Sequence, residues 1–102
     1  MKNVYVLIIE WNRHGDAGHE IFAVCATRDK AREFLASEID SDLQYGGFDS
    51  CEGIPADIDL KEHVSKGLPI ESDWVKLSNN PDEDGFSDDY IEYTIMETQL
   101  YE

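Results

Sequence analysis

The sequence predicts an α+β domain: an antiparallel sheet of three or four strands, one long helix packed on one face, and a short second helix. Three observations lead there. Apolar residues make up 41% of the 102-residue chain and fall in short runs between turn-forming residues. Period-two runs and one long period-3.6 run succeed each other in the order strand, strand, helix, short helix, strand, strand. A chain of this length buries roughly two-thirds of its unfolded surface, so a single core over residues 1–102 is expected.

The run Val4-Tyr5-Val6-Leu7-Ile8-Ile9 is apolar on both alternating faces and rich in β-branched residues. That is how a strand covered on both sides reads. Asn12 to Gly18 (NRHGDAG) contains two glycines and is expected to form a turn. A second strand, Ile21 to Ala26, would then complete an antiparallel hairpin, with a loop too long for a tight two-residue turn. Tyr5 and Trp11 fall on the same face of the first strand.

Thr27 is a suitable N-cap for RDKAREFLASEIDSDLQYGG, in which Ala31, Phe34, Leu35, Ile39 and Leu43 form one apolar stripe ended by Gly46-Gly47. Arg28 and Lys30 in the first turn sit poorly at the positive end of the helix dipole, which puts more weight on the cap. Asp59, with Glu62 three residues later, opens a second helix over about 59–66, stopped by Gly67 and Pro69. It is expected on the far side of the sheet or at an edge, covering the face the first helix leaves open. Failing that, a second copy of the protein would have to cover it. Trp74 to Leu77 and Ile91 to Ile95 complete the strands, and NNPDEDGFSDDY (79–90) lies in the acidic connection between them, about 78–89.

Charge is distributed unevenly. The net charge is −15, yet residues 1–33 hold five acids and five bases. The excess lies in residues 34–102, where eighteen acids face only Lys61, Lys66 and Lys76. Such a surface repels nucleic acid and attracts basic proteins. Duplex DNA carries one charge per ~1.7 Å of axis, so a length matching a domain of this size carries about 20. The segment from 34 onward is comparable, which makes DNA mimicry arithmetically feasible.

Other chemistry has thin support. With Gly85 at the sixth position of a calcium loop, Asn80, Asp82 and Asp84 fall on ligand positions, but the twelfth position is Ile91 where a bidentate Glu is required. His14, His19 and Asp16 surround a turn without a metal-site spacing, and His63 lies on the short helix. Cys25 belongs to a strand, and Cys51 is set among Asp49, Ser50 and Glu52, whose negative charge would blunt a thiol. Both cysteines are expected to be reduced thiols, as in the cytoplasm. No apolar run approaches the ~20 residues that span a bilayer. Charge at Glu10 and Arg13, with no small-residue cleavage site, argues against a signal peptide. Neither an enzyme nor a cofactor is expected.

VYVL (4–7), ATRDKAREFL (26–35) and YIEYTI (90–95) resemble the small β-hairpin–helix–strand proteins of bacteria and their phages. The matching segments are structural and carry no functional residue across. In size and acidity the chain is also similar, as a class and without a shared motif, to phage anti-restriction and anti-CRISPR proteins. That likeness implies an inhibitor occupying the basic DNA-binding surface of a nucleic-acid-handling protein such as a host nuclease. The residues expected to carry it are Asp82, Glu83, Asp84, Asp88, Asp89 and Glu92, with Asp40, Asp42 and Asp49 as a second patch. Each would accept charge-assisted hydrogen bonds from Arg or Lys as a phosphate surrogate. The alternative is an interaction or regulatory module that dimerises or docks through an apolar sheet face.

Overall fold

The structure, a computed structural model, describes residues 2–13, 16–45, 48, 50–55, 57–78 and 89–101. Among them the elements run β1 (Lys2–Arg13), β2 (Asp16–Cys25), α1 (Arg28–Tyr45), β3 (Ser50–Glu52), α2 (Leu60–Ser65), β4 (Trp74–Ser78) and β5 (Tyr90–Leu100). All strand pairs are antiparallel, in the spatial order β2-β1-β5-β4-β3. The α+β class is as the sequence predicts. The sheet has five strands rather than three or four. The additional one, β3, is three residues long, too short to show a period, and exists because it pairs with β4.

The hairpin differs from expectation. Pairing of β1 with β2 continues to Arg13↔Asp16, so only residues 14 and 15 separate strands predicted to be joined by a longer loop. Gly18, which reads as a turn residue, lies inside β2 opposite Trp11. A Cβ there would come within 2.6 Å of the indole, so the glycine makes room for the ring and is no loop signal. The β1–β2 register shifts between Leu7 and Ile8, where Phe22 is the extra residue of a bulge.

Helix α1 starts as predicted: the Thr27 hydroxyl accepts from the Lys30 N–H at 3.2 Å. The awkward first-turn arginine has partners of its own. Arg28 lies 3.4 Å from Asp73 and 3.1 Å from Glu97, Arg32 lies 3.0 Å from Asp73, and the Arg28 guanidinium also covers the Tyr5 ring. These groups join α1 to the start of β4 and the end of β5. Each pair alone would contribute only ~0–1 kcal/mol because the groups are partly solvated. Ala31, Leu35, Ala36 and Ile39 are buried, whereas Phe34 lies at the margin with its ring edge-on to Phe22.

Helix α2 is capped by Asp59, whose carboxylate accepts from the Glu62 N–H at 3.3 Å, and it ends before Gly67 as expected. Of the two positions expected for it, the far side of the sheet is not adopted. Leu60 and Val64 enter the same core cluster as Leu35 and Ile39, and α2 packs beside α1. Both helices therefore lie on one side of the sheet. The largest fully buried side chains are Tyr93, Leu7, Leu35, Ile39, Leu77 and Val75, all between the helices and that side. Burying each aliphatic one contributes about 1.5–3 kcal/mol.

Cys25 is buried in β2 and Cys51 exposed in β3, on opposite edge strands. Four strand spacings of ~4.8 Å separate them, well beyond the ~7 Å within which a disulfide can close. No helix among the described residues is long and apolar enough to cross a membrane.

Gly53 follows β3 with φ +89°, and a Cβ would lie 2.3 Å from the Trp74 carbonyl oxygen. Gly53→Ala is therefore expected to lower unfolding free energy by about 1–3 kcal/mol in a urea titration, through the left-handed backbone and the clash together. Gly67→Ala, also at positive φ but with open space around it, should be the milder of the two.

Candidate docking face

The alternation of β1 divides its side chains between two environments. Leu7 and Ile9 point to the helices and are buried; Val4, Val6 and Ile8 point the other way and remain part-exposed. Register carries this division across the sheet. Val6 is flanked by Val24 and Met96, and Ile8 by Ile21 and Thr94, with Trp74 next to Thr94. On this side, which is helix-free among the described residues, Ile21 is 65% exposed, Val24 62% and Met96 52%. Leu100 and Trp74, on the same face, are also exposed. These residues form one apolar half-face.

Further along the same strands the face becomes charged. Glu10 stands between His19 on β2 and Glu92 on β5, and Glu92 is next to Lys76, which pairs with Glu52 of β3. Like charges side by side, as at Glu10 and Glu92, are unfavourable without a third group between them. Two such groups are present. The Tyr90 hydroxyl donates to Glu10 at 3.4 Å, and the Lys76 ammonium sits 4.8 Å from the Tyr90 ring centre. The helix-free side is thus apolar at one end and net anionic at the other.

The residues expected to contact a partner are placed as follows. Asp82, Glu83, Asp84 and Asp88 of the acidic connection, and Asp49, lie outside the described residues, as do His14 and the residues of the calcium-loop reading up to position 88. Glu92 belongs to the anionic half-face, and Asp89 is part-buried just before β5. Asp40 and Asp42 are on α1, across the sheet from Glu92, and two residues apart on a helix they point in nearly opposite directions. Asp40 accepts from Gln44 at 3.2 Å. Asp42 points inward and accepts a hydrogen bond from the buried Tyr93 hydroxyl.

This inward carboxylate sits in an unusual environment. Burial raises the Asp42 pKa above its ordinary value, against the opposing effects of the Tyr93 bond and Arg13. Glu38, one turn earlier, is also raised, first by burial and then by Asp42 and Glu20. Tyr93 is held in its neutral form by burial and by the Asp42 carboxylate. Tyr93 and Asp42 thus tie α1 to the centre of β5, a structural use of one of the predicted acids.

Elsewhere, α2 and its flanking loops enclose a cavity of about 360 Å³ lined by Pro55, Ile58, Leu60, Leu68 and Ile70, with His63 at its wall. The His63 Nε2 lies 2.9 Å from the Pro69 carbonyl oxygen, which engages that ring nitrogen. Among the described residues no three His, Cys, Asp or Glu side chains converge as metal ligands would. The side chains that make up the apolar half-face, Val6, Ile8, Ile21, Val24, Met96 and Trp74, are absent from the residues predicted to bind. Their signal was the two-sided apolar run at 4–9.

Because Asp42 and Glu38 hold protons more tightly when folded than unfolded, their contribution to stability is complete below the ordinary values of 3.8 and 4.5 and is lost as pH rises through the raised ones. Stability measured by urea titration should therefore increase as pH is lowered through the raised values towards the ordinary ones. The combined Glu38→Gln and Asp42→Asn variant should show a flatter pH dependence than the wild type. Tyr93→Phe should be destabilising by about 1–3 kcal/mol, since it removes the donor from a part-buried carboxylate.

Comparison with protein-family models, with curated proteins and with solved structures finds no match to this chain.

Proposed function

We propose that this protein is an interaction module that docks through the helix-free face of its sheet. The observation that supports this most strongly is the uncovered apolar half-face. Ile21, Val24 and Met96 are each more than half exposed and contiguous with Val6 and Ile8. Exposed apolar patches of more than a few hundred Å² mark interaction surfaces in soluble proteins. The composition of β1 agrees, because its 4–9 run suits a strand covered on both sides while the chain's own helices cover one.

The acidity supports a second reading, an inhibitor that occupies a basic surface on a nucleic-acid-handling protein such as a host nuclease, in the manner of phage anti-restriction proteins. In its favour are the net charge of −15 and the grouping of Glu10, Glu52 and Glu92 on one face with Lys76 and His19. Against a wholly electrostatic mechanism stands the internal use of other carboxylates. Asp73 and Glu97 hold arginines, Asp42 holds Tyr93, Asp59 caps α2, and Glu62 pairs with Lys66. Charge in this reading steers a basic partner to the face, and the apolar half contributes to holding it.

Val24→Asn combined with Met96→Gln tests the first reading, and Glu10→Gln combined with Glu92→Gln tests the second. All four positions lie on the sheet surface, so stability should change by about 0.5 kcal/mol or less at each. In capture from a lysate of the cells that carry the protein, the apolar variant should lose partners at both low and high salt. The charge variant should lose them chiefly at low salt, where the wild type gains from steering. Equal recovery of every partner by the wild type and the apolar variant would overturn the docking-face reading.

A further inference from the structure

We infer that the occupant of the apolar half-face is a second copy of this chain, giving a two-fold symmetric dimer in which the apolar halves overlap and the anionic ends diverge. This rests on the docking-face reading and adds the partner to it. Three observations point the same way.

The first is charge. The body carries −15, so an approaching copy meets repulsion over most of its surface. The half-face built from Val6, Ile8, Ile21, Val24, Thr94 and Met96 contains no carboxylate, and the nearest charged residue along β1 at its outer margin is Lys2. Two copies can meet there without desolvating an acid. A basic partner, by contrast, would be steered first to the anionic end.

The second is area. Four strands at ~4.8 Å spacing, over about six residues at ~3.3 Å each, give a patch near 20 by 20 Å, or roughly 400 Å² in flat projection and more as accessible surface. Counted over both copies this is about 800 Å² in flat projection, below the ~1,200–2,000 Å² of stable specific interfaces and in the range of weak, transient ones. The face is adequate for a concentration-dependent dimer and too small for an obligate one.

The third is the polarity of the face, which selects the geometry. Face-to-face sheets pack either nearly aligned or nearly orthogonal, ~10 Å apart. An aligned two-fold arrangement with parallel strands would stack Glu10 and Glu92 over the same residues of the copy. An arrangement with the strands antiparallel or crossed overlaps the apolar halves and sends the two anionic ends in different directions. The resulting dimer displays two anionic ends free for a basic partner, which places the two functional readings on one molecule.

Sedimentation velocity from about 1 to 200 µM protein, at 50 and 500 mM NaCl, tests this directly. The expected result is a shift towards twice the chain mass of 11.6 kDa in the tens of micromolar, unchanged or tighter at the higher salt because screening relieves repulsion between like bodies. Val24→Asn with Met96→Gln should weaken the dimer at least tenfold. A wild type that stays monomeric at every concentration, a dimer that the variant retains, or a dimer that salt dissociates would each overturn the inference. Such an outcome leaves the docking-face reading to be decided by the capture experiment, in which partners other than a second copy are scored. Should the variant lose its cooperative melt, oxidation of Met96 in the wild type by dilute peroxide, read by peptide mass, replaces it. Met96 should oxidise several-fold more slowly at 200 µM than at 1 µM, and equal rates would overturn the dimer.

Discussion

Strand β1 is hydrogen-bonded along both edges, and its register with β2 and β5 determines which of its apolar residues meet the helices. Because side chains alternate, a slip by one residue would move Leu7 and Ile9 to the open side and bring Val6 and Ile8 against α1. With an apolar run as uniform as Val4 to Ile9, the strand alone supplies little preference between these states. The preference comes from its neighbours. Trp11 fits only over a residue without a Cβ, which Gly18 provides, and Ile9 lies beside Tyr93, whose hydroxyl is fixed by Asp42 on α1. These two contacts set the register from opposite sides of β1, and the composition of both sheet faces follows from it.

The distribution of charge is a second consequence of the same arrangement. The front third of the chain is electrically balanced in sequence, and Lys30 pairs with Glu33 within it, but its helix arginines reach beyond it. Arg28 and Arg32 reach Asp73 and Glu97 from the acidic remainder, so α1 is held on the sheet by charges far apart in the chain. This accounts for basic residues at the helix end where the dipole disfavours them. It also means that the uneven charge along the sequence overstates the polarity of the folded molecule. Among the described residues, Glu10, Glu52 and Glu92 share the far end of one sheet face.

Much of the fold could be read from the residues. The strand character of 4–9, 74–77 and 91–95, the Thr27 and Asp59 caps, and the Gly67 stop are local properties, and each is found where the sequence places it; the strand expected over 21–26 ends at Cys25 and begins earlier, at Asp16. What escaped depends on contacts between distant segments. β3 is a strand only because β4 is beside it, and Gly18 is a strand residue only because Trp11 lies over it. The position of α2 escaped for a similar reason: Leu60 and Val64 would suit either side of the sheet, and their choice is made by the core around Leu35 and Ile39. At the candidate site, carboxylates drew attention because they are abundant. The apolar half-face was written in the two-sided run of β1, which calls for two covers, whereas the helices among the described residues supply one.

An edge-to-edge alternative for self-association must also be weighed, since β2 is a ten-residue edge strand with exposed apolar side chains. A two-fold axis through β2 would pair it antiparallel with its copy, and paired residues must lie on the same side of the sheet. Before the bulge, Ala17, His19 and Ile21 face the helix-free side; beyond it the next such residue is Val24, because Phe22 and Ala23 both face the helices. Any two-fold centred near the middle of β2 then sets residues of opposite sides against each other. The bulge therefore interrupts the pairing that an exposed edge would otherwise invite, a recognised means of protecting edge strands. It leaves the helix-free face intact, with Ile21 and Val24 beside Ile8 and Val6. The single extra residue in β2 thus obstructs pairing at the edge while keeping Val24 on the same face as Ile21.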